Sequence, residues 1–221
     1  MPATDPPPTL PRALTRLRPR TPGLGFGTAY VHEGPPYAVR DAELRLTRTM
    51  TPSRRADFLI GRCALHRALR DAGLSADAVL CDGPRPRLPA GLSASISHSN
   101  GIAVAVAGPT SLFRTLGVDL ELNDVPREAA HLVLHASEAV LPEGDDAAVA
   151  RHLLAAYAAK EAAFKALSPV LGAGLPGLRA LRLAPHADGY LAHAPAGPGL
   201  CLRVTVHHLS RGVLAWAVPN V

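Results

Sequence analysis

Leu92-Ser-Ala-Ser-Ile-Ser-His98, Ser99-Asn100-Gly101 and Ile102-Ala-Val-Ala-Val-Ala107 make one continuous stretch of a 221-residue chain. Two alternating runs flank Asn-Gly, the pair that most readily takes positive φ at both centres of a tight hairpin turn. The same order of features closes the chain. Leu200 to His207 leads into a turn at Ser210-Arg-Gly212, and Val213-Leu-Ala-Trp-Ala-Val218 returns. His98-Ser-Asn-Gly-Ile and His208-Leu-Ser-Arg-Gly-Val thus agree in order more than in identity. Each hairpin follows a helix by some tens of residues. The first helix runs from about Arg54 to Ala72, opened by Pro52-Ser53 and stopped by Gly73, with Phe58, Leu59, Ala64, Leu65, Ala68 and Leu69 as its apolar stripe. The second runs from about Asp146 to Leu167 and ends before Ser168-Pro169. Helix, loop and hairpin, twice over, imply an α+β fold of two pseudo-symmetric α/β halves. Each half is a long helix packed on a small antiparallel sheet, with a ligand cleft between them.

The flanking segments are read more coarsely. Met1 to Gly23 is rich in Pro and Arg, lacks an apolar core of the kind that secretion requires, and reads as a flexible leader. Residues 24–115 then form the N-terminal half and 116–221 the C-terminal half. Tyr30, Val31 and Tyr37, broken by Gly34-Pro35-Pro36, suggest a short strand and a turn, and Asp41 to Thr49 a short helix. Glu128 to Leu134 reads as helix, Pro142 to Asp146 as loop, and Leu178 to Leu183 and Gly189 to Ala192 as strands.

Composition narrows the function. Hydrophobic residues make up 48% and aromatics only 4%, which implies a globular core of Leu, Val and Ala. No apolar run approaches the ~18 residues a membrane span needs. Three scattered cysteines, Cys63, Cys81 and Cys201, lack zinc-ligand spacing and suit a reducing, cytoplasmic setting. A net charge of +5 favours acidic partners. Nucleic acid is poorly served by scattered arginines and few aromatics, whereas a phosphorylated small molecule or an acidic protein fits.

Two features carry chemistry. In Gly117-Val-Asp119-Leu-Glu121-Leu, the leucines and Val118 alternate to one side and leave Asp119 and Glu121 together on the other, about 7 Å apart. Such a pair repels unless solvent or a cation neutralises it, and a hard divalent ion such as Mg²⁺ suits it. An exposed strand face would have the same pattern. Glu161 is the candidate third carboxylate. It lies in Tyr157-Ala-Ala-Lys160-Glu161-Ala-Ala-Phe-Lys165-Ala-Leu167, which holds both lysines among the chain's 23 Lys+Arg. Lysine offers a compact, mobile ammonium where arginine offers a rigid fork. Lys160 falls in the apolar stripe with Leu153, Tyr157, Phe164 and Leu167; Glu161 and Lys165 sit at its edge, spaced i,i+4. A snorkelling lysine beside a solvated ion pair is the plain alternative. On the first helix, Arg54 and Arg62 form either a solvated basic face or an anion clamp. His98, at the lip of its turn, is either a polar cap or a ligand contact.

Taken together, Ser97-His98, Gly117-Val-Asp119-Leu-Glu121 and Tyr157-x-x-Lys160-Glu161-x-x-x-Lys165 resemble the 4′-phosphopantetheinyl transferases, in their larger single-chain class of two pseudo-symmetric halves. Arg54-Arg55-x-x-Phe58-x-x-Gly61-Arg62 is similar to that family's basic N-terminal helix. The resemblance covers roughly residues 28 to 218. It implies transfer of phosphopantetheine from coenzyme A to a serine of an acyl or peptidyl carrier protein, in fatty acid, polyketide or nonribosomal peptide synthesis, with release of 3′,5′-ADP. It further implies Asp119, Glu121 and Glu161 as ligands of Mg²⁺, and Lys160 and Lys165 as neutralisers of phosphate. Arg54, Arg62, Ser97 and His98 would bind the coenzyme, joined by Arg85 or Arg87. Glu161, directly or through water, would be the base, with Lys165 and Asp119 beside it. The family usually has Trp where Tyr157 stands, and Trp-Pro where this chain has Leu88-Pro89. A chain that forms both walls of its own cleft is expected to act as a monomer, without membrane or nucleic acid. Two other readings stay open: a Mg²⁺-dependent nucleotide hydrolase or phosphotransferase, and a basic nucleic-acid-binding module.

Overall fold

A computed structural model describes residues 10–17, 19–33, 39–82, 85–138, 145–195 and 200–219. The turn expected at Gly34-Pro35-Pro36, Tyr37 and most of the loop from Pro142 lie outside them. The N-terminal half threads β1 (Gly25–Tyr30), α2 (Asp41–Leu46), α3 (Pro52–Asp71), a small hairpin β2 (Leu80–Asp82) and β3 (Arg85–Arg87), then β4 (Leu92–Ser99) and β5 (Ile102–Pro109). The C-terminal half repeats the order: β6 (Gly117–Glu121), α4 (Ala130–Val133), α5 (Asp146–Leu171), the hairpin β7 (Arg182–His186) and β8 (Gly189–His193), then β9 (Cys201–His208) and β10 (Val213–Pro219). Sheet order is β1-β5-β4 in one half and β6-β10-β9-β8-β7 in the other, all neighbours antiparallel. The hairpin turn takes the expected form, with Asn100 at φ 48 and Gly101 at φ 74.

Residue size sorts the two faces of each sheet. Along β5, Ala103, Ala105 and Ala107 pack on α3 with Ile60, Ala64 and Leu65, while Ile102, Val104 and Val106 point the other way. Along β10, Ala215 and Ala217 face α5, while Leu214, Trp216 and Val218 point away. The large residues of both sheets, with Phe26, Val118 and Leu120, meet in one shared core. Each such residue contributes about 1.5–3 kcal/mol of burial, so the halves are fused by an interior rather than touching at a surface. Small residues on the outer faces let the helices lie close. A Cβ on Gly27 would stand 2.1 Å from the carbonyl oxygen of Ala64, and one on Gly117 would stand 1.8 Å from that of Ala162.

Three expectations need correction. The segment read as a flexible leader contains α1 (Leu10–Arg16), whose Leu14 is fully buried in the shared core and whose Pro11 carbonyl accepts a hydrogen bond from the Tyr30 hydroxyl at 3.0 Å. Leu10 and Leu17, about one turn to either side of Leu14, pack against that core as well. The long helix does not end before Ser168-Pro169. It continues to Leu171 and closes at Gly172, because a proline in the last turn forfeits only one helical hydrogen bond. Finally, the repeat is offset from the one the sequence order suggests, in which His98 is matched with His208. The four-residue link at 209–212 replaces a two-residue turn, so Ile102 corresponds to Leu214 and His98 to Val206.

Candidate active site

β6 and α5 build the site between them. Gly117, Asp119 and Glu121 alternate to the side of β6 that faces α5, opposite Ala217, Ala215 and Val213 of β10. Gly117 permits the helix to approach, and one face of that helix then presents Tyr157, Glu161 and Lys165 at successive i,i+4 steps. Lys165 Nζ donates to Asp119 Oδ1 at 2.7 Å, to the Val118 carbonyl at 3.2 Å and to Ser97 Oγ at 3.0 Å. Ser97 Oγ in turn donates to the same Asp119 oxygen at 2.9 Å. The other oxygen, Oδ2, is buried and has no hydrogen-bond partner among the described residues. A buried carboxylate oxygen left bare costs about 1–3 kcal/mol or more unless something binds it.

The electrostatics follow from crowding of like charge. Burial pushes the Glu161 carboxyl above its ordinary range, and the charge of Asp119, with a smaller part from Glu121, pushes the same way against the pull of Lys165. The Tyr157 hydroxyl lies against Glu161. Burial and then the charges of Glu161, Asp119 and Glu121 push it up to about 12. Three carboxylates therefore act on one small volume that holds a single ammonium. That donor set, with its bare oxygen, fits a hard divalent cation such as Mg²⁺. Among the described residues, however, no three His, Cys, Asp or Glu side chains are gathered to ligand spacing. Lys165 on Asp119 holds part of the place a cation would take.

This constellation opens on a cleft of about 630 Å³ walled by both halves. Glu161, Phe164 and Lys165 supply one wall; Arg54, Phe58 and Arg62 of α3, Arg85 of β3 and His98 of β4 supply the other. Arg85 reaches across, donating to Ser168 Oγ at 3.1 Å. His98 Nδ1 stands 3.9 Å from Asp57. Arg62 is nearly buried over the Phe58 ring and spends Nε and Nη2 on the carbonyls of Val79 and Leu80, so it anchors β2 as well as lining the cleft. Arg87 is exposed and does not line the cleft.

Lys160 is a correction. It was read as a phosphate ligand, but it lies on the far side of α5, fully buried, with Nζ 2.6 Å from Glu138 Oε2 and donating to the Leu181 carbonyl at 2.8 Å. The stripe that made it conspicuous was a core stripe, and its charge is met by a carboxylate from elsewhere in the chain. Glu138 also accepts the backbone N–H groups of His135 and Leu183.

Of the serine row, sequence reasoning singled out Ser97 alone. Ser93, Ser95, Ser97 and Ser99 are all buried on one face of β4, where the strand runs beside β6. Ser95 Oγ accepts the Val118 N–H at 3.1 Å, Ser99 Oγ accepts the Leu122 N–H at 3.3 Å, and Ser99 donates to Glu121 at 3.4 Å. Four serines at every second position of a strand are the signal: a polar face that is buried must bond to something. Asn123, which donates through its backbone and side chain to Glu121 Oε1 at 2.8 and 3.1 Å, was missed as well.

Two sequence-family models match the chain. Residues 42–108 match the 4′-phosphopantetheinyl transferase N-terminal domain, and residues 115–218 match the 4′-phosphopantetheinyl transferase superfamily. Among curated proteins, enterobactin synthase component D of Salmonella typhi is 32% identical over 124 residues, covering 55% of this chain and 51% of that protein. The chain thus matches about half the length of this relative.

Proposed function

Since the chain belongs to the 4′-phosphopantetheinyl transferase superfamily, matched in both of its halves, we propose that it moves 4′-phosphopantetheine from coenzyme A to a serine of an apo acyl or peptidyl carrier protein, leaving 3′,5′-ADP. The observation that carries this reading is the Lys165–Asp119–Ser97 constellation at the edge of a two-walled cleft, with arginines on the opposite wall. Residues 24–115 would act as the half that takes the adenosine end, and 116–221 as the half that carries the chemistry.

Phosphoryl transfer asks for positioning and for charge neutralisation where charge develops, more than for covalent help. Arg54, Arg85 and His98 line the end of the cleft that suits the 3′-phosphate and the base. Lys165, positive and held by Asp119 and Ser97, stands at the other end, where the pyrophosphate would lie. Asp119, Glu121 and Glu161 would hold Mg²⁺, which neutralises pyrophosphate charge when bound. Glu161 is the base of choice for the carrier serine, directly or through water, because it lines the cleft beside Lys165 and the acidic strand. Ser97, expected at the coenzyme, orients Asp119 and Lys165 in this reading.

The acceptor is proposed as a carrier domain of a nonribosomal peptide-type synthase, on the strength of a relative named as an enterobactin synthase component. Among the described residues no helix is long and apolar enough to cross a membrane. The reading is tested by intact mass of an apo carrier protein after incubation with this protein, coenzyme A and Mg²⁺. The expected result is a gain of one phosphopantetheine, abolished by EDTA. Failure of coenzyme A to bind in the presence of Mg²⁺ would sink it.

A further inference from the structure

The seam between the halves is closed on one side and open on the other. β4 meets β6 through the hydroxyls of Ser95, Ser97 and Ser99. If the internal repeat were complete, β9 would meet β1 in the same way. Strand register puts Arg203, Thr205 and His207 at the positions of those three serines. Among the described residues, β9 and β1 form no such seam. A cavity of about 980 Å³ lies along β9 instead, bounded by Arg20, Thr21 and Pro22 on the approach to β1. It exceeds the transfer cleft of about 630 Å³, and the transfer reaction uses none of its residues.

The wall has the chemistry of an anion site. Neither Arg20 nor Arg203 has an ion-pair or hydrogen-bond partner among the described residues, and Asp188 is the single described carboxylate on the cavity. Two guanidinium forks against one carboxylate leave a positive wall whose geometry suits an oxyanion. The His207 ring lies 4.5 Å from the ring of Trp216, centroid to centroid, and its Nε2 is buried without a hydrogen-bond partner. A flat, partly apolar floor next to unpaired cations suits more than a bare ion, and the volume is that of a small-molecule site. We infer that this open seam binds a phosphorylated small molecule of nucleotide size, with Arg20 and Arg203 on its phosphate and the His207–Trp216 pair beneath its ring.

Trp216 is the chain's one tryptophan, so its fluorescence reports on this cavity. Adenosine 5′-monophosphate and, separately, inorganic pyrophosphate are titrated into the full chain at constant ionic strength. The expected result is a saturable change with at least one probe, weakened about ten-fold or more in Arg203→Ala and unaltered in Arg54→Ala, which faces the other cleft. Arg20 is exposed, so Arg20→Ala supplies a second variant should Arg203→Ala melt early by circular dichroism. No saturable change with either probe overturns the inference. So does a change that survives both arginine variants, or one that only Arg54→Ala removes.

Discussion

The two halves share a plan and differ in what they place on it. Gly27 and Gly117 are the close-approach glycines of β1 and β6, and Ala64 and Ala162 are the helix residues they meet. From that anchor, Asp119 corresponds to Ala29, Glu121 to Val31, Glu161 to Cys63 and Lys165 to Arg67. Arg67 even repeats one bond: its Nη1 donates to the Thr28 carbonyl at 2.6 Å, as Lys165 Nζ does to the equivalent Val118 carbonyl. Its remaining reach goes to Glu33 on the surface. The N-terminal half therefore has the frame of a catalytic unit with alanine, valine and cysteine where the carboxylates would stand. The difference teaches that the fold does not need the carboxylates, which agrees with the chemistry proposed for them.

A carboxylate does recur as part of the frame, buried in the case of Glu43 and partly buried in that of Glu138. Glu43 accepts the N–H groups of Arg40 and Val79 and pairs with His66; Glu138 accepts those of His135 and Leu183 and pairs with Lys160. In each half one glutamate ties a helical turn to the following hairpin and to a basic side chain of the long helix. Lys160→Met removes the cation in one half and leaves Glu138 facing a nonpolar group. Breaking a buried pair from one side costs about 3–5 kcal/mol, read by urea denaturation, with the KM for coenzyme A unchanged. A large rise in that KM with stability intact would return Lys160 to the cleft.

The glycines test the two frames directly. Gly27→Ala and Gly117→Ala should each cost about 1–3 kcal/mol or more, because the new methyl meets backbone that cannot yield without moving the helix. Gly117→Ala should also depress turnover, since the displaced helix carries Glu161 and Lys165. Gly27→Ala displaces α3, which carries Arg54 and Arg62 to the cleft, so it should raise the KM for coenzyme A and spare kcat. Equal losses of turnover in the two variants would break the distinction between frame and chemistry.

Glutamates of the two classes should respond to pH with opposite sign. Burial pushes Glu43 up, but His66 and the two N–H groups more than offset it, leaving its folded-state proton affinity below the ordinary value of 4.5. Its contribution is present above that value and is lost as pH falls through the folded-state pKa. Glu161 lies above 4.5 when folded, so its contribution is present below that value and is lost as pH rises through its raised folded-state pKa. Without divalent cations, melting curves should find Glu161→Gln gaining on the wild type as pH rises through that range. Glu43→Gln should fall further behind as pH rises from acid. The smallest effect is expected of Cys63→Ala, at the position of Glu161: about 1 kcal/mol of stability and turnover within about two-fold.

Much of this was legible in the residues. The Asn-Gly turn and the small-large alternation of Ile102 to Ala107 declared a hairpin, and the second hairpin declared the repeat. Asp119 and Glu121 declared themselves by sharing a strand face, and Glu161 and Lys165 by their spacing. What escaped depended on contacts between distant segments. Lys160 looked like a site residue because nothing local could neutralise it; Glu138, more than twenty residues away, does so. Leu14 looked like leader because the i, i+4, i+7 spacing of Leu10, Leu14 and Leu17 spans barely two turns among prolines and arginines. The serines of β4 other than Ser97 looked like ordinary strand residues until β6 came alongside.

The central claim is that the acidic cluster of the C-terminal half, absent from its counterpart, performs the transfer. It is tested most directly by the rate at which an apo carrier protein gains mass with wild type, Asp119→Ala and Cys63→Ala, each checked by circular dichroism. The prediction is a loss of about 10²–10³-fold in Asp119→Ala with its melting transition retained, and no loss in Cys63→Ala. A folded Asp119→Ala that modifies the carrier at the wild-type rate would contradict it.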